Sequence, residues 1–382
     1  MRNSRWLFVP VLLAVCAYPA PAGADFVYAV IDPSGNDGTD LGITGLNASG
    51  QATGYYFDVD GNYHGFVRDA GGSITTFAGP GGGTTFANAM NNSGEVAGIY
   101  YDAGNHLHGF LRDPGGLLTP FDVPGSRRTV IGALNDSGAS AGTYTDANNI
   151  FHGFIRQANG MVNTLDVPGA TGTIVSSLNA SGVVAGAYSD ANGMFHGYLR
   201  AAGGSYTLFD PPGGLNTPVL LNDAGLVAGA YHVGGENQPP YHGYLRGTSG
   251  TIVPFDVPGS TNTYVYALNN AGAIGGQYDA LGLAFGFVRG PDGLIATLTA
   301  PGDIGGGTYV TALNDSGQAA GSYYDSNNRI VGFIATPTAV PEPGPLVLMA
   351  IGGLAGLVYH RRRSRTAAPL ASPGRALASR RA

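Results

Sequence analysis

Five histidines stand at one recurring position: His64, His108, His152, His196 and His242 each open a His-Gly-Phe/Tyr-x-Arg pentad. An imidazole repeated at fixed spacing suggests a metal ligand or an acid–base group. On an extended strand, however, the His, the aromatic and the Arg share one face at i, i+2 and i+4. Equivalent positions in successive repeats lie too far apart to hold one ion unless they line a common channel. The expectation is therefore structural, each His pinned by hydrogen bonds between strands or between repeats. Phe285 and Val331 stand at the same position in the last two repeats, which supports that reading. His106 lies two residues before His108, and two imidazoles alone make a weak site.

Carboxylates form two more recurring sets. Asp58-Val59-Asp60-Gly61-Asn62 begins like a calcium loop, and Asp102, Asp146, Asp190 and Asp325 occupy the same place in other repeats. Oxygen-rich turns suit a hard cation, so Asp58 and Asp60 are weak metal candidates. No bidentate Glu follows, and Asp-Asn-Gly clusters also build hairpins without any ion. Asp122, Asp166, Asp210 and Asp256 each precede x-Pro-Gly, and with Asp32 they predict Asx-type bonds at strand ends. Glu95 and Glu236 are the sole glutamates between residues 25 and 340. Such a pair could serve a glycosidase if it faced across a cleft, though surface acids are the simpler reading. No zincin helix or phosphate loop occurs, and no catalytic residue is assigned.

These residues need a scaffold, and internal repetition supplies it. The Asn of a Leu-Asn-x-Ser-Gly-like motif recurs at Asn47, Asn91, Asn135, Asn179, Asn222, Asn269 and Asn314, with spacings of 44, 44, 44, 43, 47 and 45. Each unit reads as four short strands separated by turn clusters every 8–12 residues, the pattern of antiparallel sheet. In the third unit these are 129–134, 141–144, 151–156 and 161–167, with turns at Asn135-Asp136-Ser137-Gly138 and Asp146-Ala147-Asn148-Asn149. Residues 26–35 look like a lone fourth strand, and the seventh unit has three strands without a fourth. Joining these complementary halves closes a ring, predicting an all-β, seven-bladed propeller over 25–338 whose closure hides sheet edges. A linear β-solenoid fits the repeat but leaves the two halves unexplained.

Gly accounts for 64 of the 382 residues, with 24 Pro but no collagen period. Both ends read as targeting segments. Residues 1–24 have Arg2 and Arg5, an apolar run over 6–17 and a small-x-small cleavage site at Ala22 and Ala24. A lipoprotein signal ending at Cys16 is the competing reading, although Val15 departs from its pattern. Cys16 is the single Cys, so cleavage after Ala24 leaves no disulfide or Cys-ligated zinc. At the other end Pro341-Glu342-Pro343 precedes an apolar run, a predicted membrane helix over 345–360, then Arg361, Arg362, Arg363 and Arg365. An ordinary single-span anchor is the plain alternative. Residues 366–382 read as a basic disordered tail. The chain has no Lys, and 25–340 holds 24 acids against 9 Arg within an overall charge of −7. That acidity disfavours nucleic acid, anionic lipid and acidic glycan as direct partners.

The C-terminal arrangement resembles the PEP-CTERM sorting signal of Gram-negative bacteria over about residues 339–365. The resemblance rests on the Pro-Glu-Pro triplet, the short helix with Gly353-Leu354 and Gly356-Leu357, and the Arg block. It implies recognition by an exosortase-type membrane protease, removal of the helix and delivery to the outer surface or extracellular matrix. Members usually stop soon after the Arg block, whereas this chain continues from Thr366 to Ala382. The repeats resemble extracellular HAF-repeat proteins, with Gly in place of the family's Ala at Gly65, Gly109, Gly153, Gly197 and Gly243. That family brings no established chemistry.

The expectation for the whole is an exported, non-enzymatic surface or matrix propeller. The resemblance to the sorting family implies exopolysaccharide association, with polysaccharide or a surface protein as partner. A polysaccharide-acting hydrolase or lyase on the same scaffold, and a calcium-stabilised structural module, are the alternatives.

Overall fold

The structure is a computed structural model that describes residues 26–34, 40–233, 239–303 and 306–338. These residues fold into 28 strands in seven four-stranded antiparallel sheets. Six sheets are simple meanders, at 41–77, 85–121, 128–165, 172–209, 214–255 and 262–298. The seventh takes three strands from 309–337 and completes itself with Phe26–Ile31, which pairs antiparallel with Ile330–Pro337. The predicted closure is thus present, and the sheets are the blades of a seven-bladed β-propeller. No helix occurs among the described residues. The cleavage site at Ala22 and Ala24, Cys16, Glu236, Pro341 to Pro343, the helix over 345–360 and the Arg block all lie outside them.

Blade three shows why these residues make a blade. Its strands are Arg128–Leu134, Ser140–Thr145, Phe151–Arg156 and Val162–Leu165. Thr129, Ile131 and Ala133 alternate inward, and Phe154 is fully buried in the third strand. Equivalent aromatics in the other blades, Phe66, Phe110, Tyr198, Tyr244, Phe287 and Phe333, are with it the largest fully buried side chains among the described residues. Each first strand carries an irregularity in register near its end, between Ile131 and Ala133 in blade three. Such a bulge sharpens twist. The last strand is shorter than its sequence pattern suggests, ending at Leu165 because the Val167 amide turns away to bond Thr173 Oγ1 at 3.1 Å.

Blades are cemented through the aromatic of one and the arginine of the next. Arg112 lies over Phe77 at 5.0 Å, Arg156 over Phe121 at 5.5 Å, Arg246 over Phe209 at 5.2 Å and Arg289 over Phe255 at 5.0 Å. Each is a cation–π contact. Ile31, Leu165 and Leu298 occupy the aromatic's register position in the three remaining blades, opposite Gly332, Gly153 and Gly286.

Candidate functional site

The first strands of all seven blades line the channel, and their turns form one of its mouths. In blade three, Asn135 Oδ1 accepts from the Ser137 and Ala139 amides and from Ser137 Oγ, at 3.1, 3.0 and 2.7 Å. Its Nδ2 then donates to the Asn179 carbonyl of the next blade at 3.1 Å. The same bond runs from Asn47 to Asn91, Asn91 to Asn135, Asn179 to Asn222, Asn222 to Asn269 and Asn269 to Asn314. Asn314 returns to the Asn47 carbonyl at 3.0 Å, so seven side-chain amides close a hydrogen-bonded ring. The repeated Asn, read from sequence as a turn former, is therefore also the inter-blade clasp.

An outer ring follows one residue later. The Ala48 amide donates to Asn92 Oδ1, Asn92 to Asp136, Ala180 to Asp223, Asp223 to Asn270 and Asn270 to Asp315. It breaks where the acceptor position is Ala48 or Ala180, whose methyl groups accept nothing. Glu95 follows the Asn91 turn and lines a separate pocket between blades two and three. Its Oε2 accepts from Asn91 Nδ2 at 2.6 Å, as Gln51 and Gln318 do from Asn47 and Asn314. It therefore stands where other blades carry a structural Gln.

The histidines gather on the opposite face, at the turns between second and third strands. His108 Nδ1 is 2.7 Å from Asp122 and its Nε2 3.4 Å from Asp102. His152 sits between Asp166 at 3.0 Å and Asp146 at 3.8 Å, and His196 between Asp210 at 2.8 Å and Asp190 at 3.7 Å. His242 meets Asp256 at 2.9 Å. His64 holds Asp58 at 2.6 Å, Ala78 standing where the second carboxylate would be. Each imidazole also packs on its cross-strand tyrosine, as Tyr144 on His152 with centroids 5.1 Å apart. Phe285 keeps that stack with Tyr278 in blade six, and in blade seven Arg329 binds Asp325 at 2.6 Å.

These clamps close within a blade, tying its turn to its last strand. The two Asp sets divide the work differently from the sequence expectation. Asp102, Asp146, Asp190 and Asp325 make the Asx-type turn bonds, as Asp146 Oδ1 does with the amides of Asn148 and Ile150. Asp122, Asp166, Asp210 and Asp256 instead accept from the histidines, because the last strand ends with its carboxylate facing the third. Asp32 alone of that set makes the expected local bond, to the Ser34 amide at 3.2 Å. In the candidate calcium loop, Asp58 Oδ1 accepts from the amides of Asp60 and Asn62 while Oδ2 meets His64. No group of three or more His, Cys, Asp or Glu side chains among the described residues is arranged to hold a metal ion.

In His108, a ring nitrogen beside each of two carboxylates favours the imidazolium, which alone donates from both nitrogens. The hydrogen bond to Asp122 is the main reason that the His108 pKa lies above its ordinary value of 6.5, and Asp102 adds to it. Asp102 is held down at about 2, chiefly by the His106 amide. His106 Nδ1 lies 3.3 Å from the same Asp102 oxygen. Because folding raises the His108 pKa, its contribution to stability is complete below the unfolded value and is lost as pH rises through the folded one. Proton titration by NMR should find the His108 midpoint above 6.5, and Asp122→Asn should lower it. A midpoint unmoved by that change would show that Asp122 does not hold the proton.

Comparison with known proteins adds the decisive feature outside the described residues. Residues 339–363 match the family model for the PEP-CTERM protein-sorting motif. The chain carries a PEP-CTERM sorting signal. That signal marks it for export and surface sorting, and implies processing by an exosortase-type system. No curated protein matches the PEP-CTERM chain in sequence. Among solved structures it is similar to the β-propeller domain of the Trilobed protease from Pyrococcus furiosus, at 8% identity and TM-score 0.53. That alignment covers 80% of this chain and 100% of the other. A puromycin hydrolase S511A mutant aligns at 12% identity and TM-score 0.53, over 77% of this chain and 53% of that one. At such identities the likeness speaks for the propeller fold alone.

Proposed function

We propose that this is an exported surface or extracellular-matrix propeller of a Gram-negative bacterium, acting without catalysis as a binding or structural module. Its partner class is matrix polysaccharide or another surface protein. The observation that carries the reading is where the reactive side chains go. Histidines and aspartates recur at the same place in successive blades and are spent holding each blade together. Glu95 is engaged by Asn91 in a position that other blades fill with Gln.

A polysaccharide-acting hydrolase or lyase is the reading to test against. The purified exported protein should bind members of a glycan array, or a surface protein, while releasing no reducing ends from the same polysaccharides. Turnover abolished by Glu95→Gln or Glu236→Gln would defeat the proposal. Mass spectrometry of the exported chain should find it ending before the Arg block, and an intact tail beyond Arg363 would contradict exosortase processing.

A further inference from the structure

The two faces of the propeller differ sharply in charge. Among the described residues, the face formed by the turns between first and second strands and between third and fourth strands carries seven acids and six arginines. The opposite face, with the histidine clamps and the connections between blades, carries fourteen aspartates against three arginines and seven histidines. The acidity of the chain is therefore concentrated on one side.

The same face exposes an apolar arc. Ile150 and Phe151 in blade three, Met194 and Phe195 in blade four, and Leu281 and Leu283 in blade six are all exposed at second-to-third-strand turns. Leu281 is 97% exposed and Phe151 50%. Val233, in the intervening blade, is exposed as well. Scattered single apolar residues are ordinary on a surface, whereas a set gathered on consecutive blades marks an interaction site. Leu281 and Gly282 form a two-residue hairpin loop, with φ of 55° and 78°. Such a loop favours Asn-Gly, and left-handed positions in other blades are filled by Asn105, Asn149 and Asn328. Leu at this position costs conformational energy and buries nothing in the blade.

We infer that this face is a docking surface for a basic polypeptide partner that seats apolar side chains on the arc spanning blades three to six. The inference deepens the binding role proposed above and rests on it. Charge complementarity selects the partner. A second copy would bring fourteen aspartates against fourteen, and an anionic glycan or anionic membrane would be repelled in the same way. A neutral glycan leaves the charge of the face unanswered.

The test uses the purified exported chain and three fluorescent probes: an amphipathic Lys/Leu peptide, its Glu/Leu counterpart and poly-lysine. The Lys/Leu peptide should bind at low salt and weaken by about tenfold on raising salt to ~0.5 M, as expected for contacts between exposed charges. The Glu/Leu peptide should not bind, and poly-lysine should bind more weakly. Leu281→Asn should lower Lys/Leu affinity by roughly threefold or more while leaving the melting temperature unchanged or higher, since it installs the favoured turn. Phe151→Ser with Phe195→Ser should weaken the same peptide without altering poly-lysine binding. Absence of Lys/Leu binding at low salt, equal binding of the Glu/Leu peptide, or unaltered affinity in both variants would overturn the inference. None of these outcomes bears on the hydrolysis assay, so the docking surface and the non-enzymatic reading fail separately.

Discussion

Asn135→Ala is expected to lower the melting temperature of the propeller by roughly 5–10 °C. The amide side chain is 6% exposed and makes four hydrogen bonds. Three hold its own turn and the fourth reaches the Asn179 carbonyl of the next blade. Truncation leaves two backbone amides, a hydroxyl and a carbonyl short of a partner in a region where water replaces them poorly. At about 1–3 kcal/mol for each buried group left unsatisfied, with some relieved by relaxation, the loss is on the order of 3–4 kcal/mol. A domain of this size loses roughly 1.5–2.5 °C per kcal/mol. Asp136→Ala is the matched control. It removes an exposed outer-ring acceptor at a position where Ala48 and Ala180 already do without one, so its cost should stay within about 0.5 kcal/mol. If the two substitutions cost the same, the closed ring of amides does not hold the blades together.

The repeating unit and the closure were legible because both follow from local patterns. Turn clusters punctuate apolar alternation, and the lone strand at 26–35 matches the strand missing from the seventh unit. The long-range chemistry was less legible, although its traces were present. The Asp partners of His108, His152, His196 and His242 all lie fourteen residues downstream, at Asp122, Asp166, Asp210 and Asp256. Where Phe285 replaces the His, Thr299 replaces the Asp. Reading the two residue types as separate sets hid that pairing, because strand propensity says nothing about what lies across a hairpin. The arginines of the pentads carry the same lesson. Their alternation predicts a shared face with the buried aromatic, but only the ring arrangement brings Arg112 over Phe77 of the preceding blade. Leu165 at the corresponding place in blade three is a signal that becomes readable once that neighbour is known. The inter-blade role of the repeated Asn was invisible for a similar reason, since a turn and a clasp call for the same residue.

Two glycines of one hairpin in blade three should respond to alanine with opposite signs. Gly142 pairs with Ile131, at the point where the register shifts before Ala133. A Cβ placed there would collide with the Val130 carbonyl oxygen and come within 3.0 Å of Ile131 Cα. Both obstacles are backbone of the strand that lines the channel, and neither can rotate aside. Relief requires the first and second strands to separate, so Gly142→Ala should cost about 3 kcal/mol, at the upper end of the usual range for overpacking. Gly132 lies in the same hairpin but faces the channel, and a Cβ there meets nothing within 4 Å. Its backbone is not left-handed. Gly132→Ala should therefore be neutral or stabilising by up to about 1 kcal/mol, by restricting the unfolded chain. Denaturation midpoints of the two variants separate the effects. If both glycines tolerate alanine equally, the close approach of the first two strands at the bulge is not what requires glycine at this recurring position.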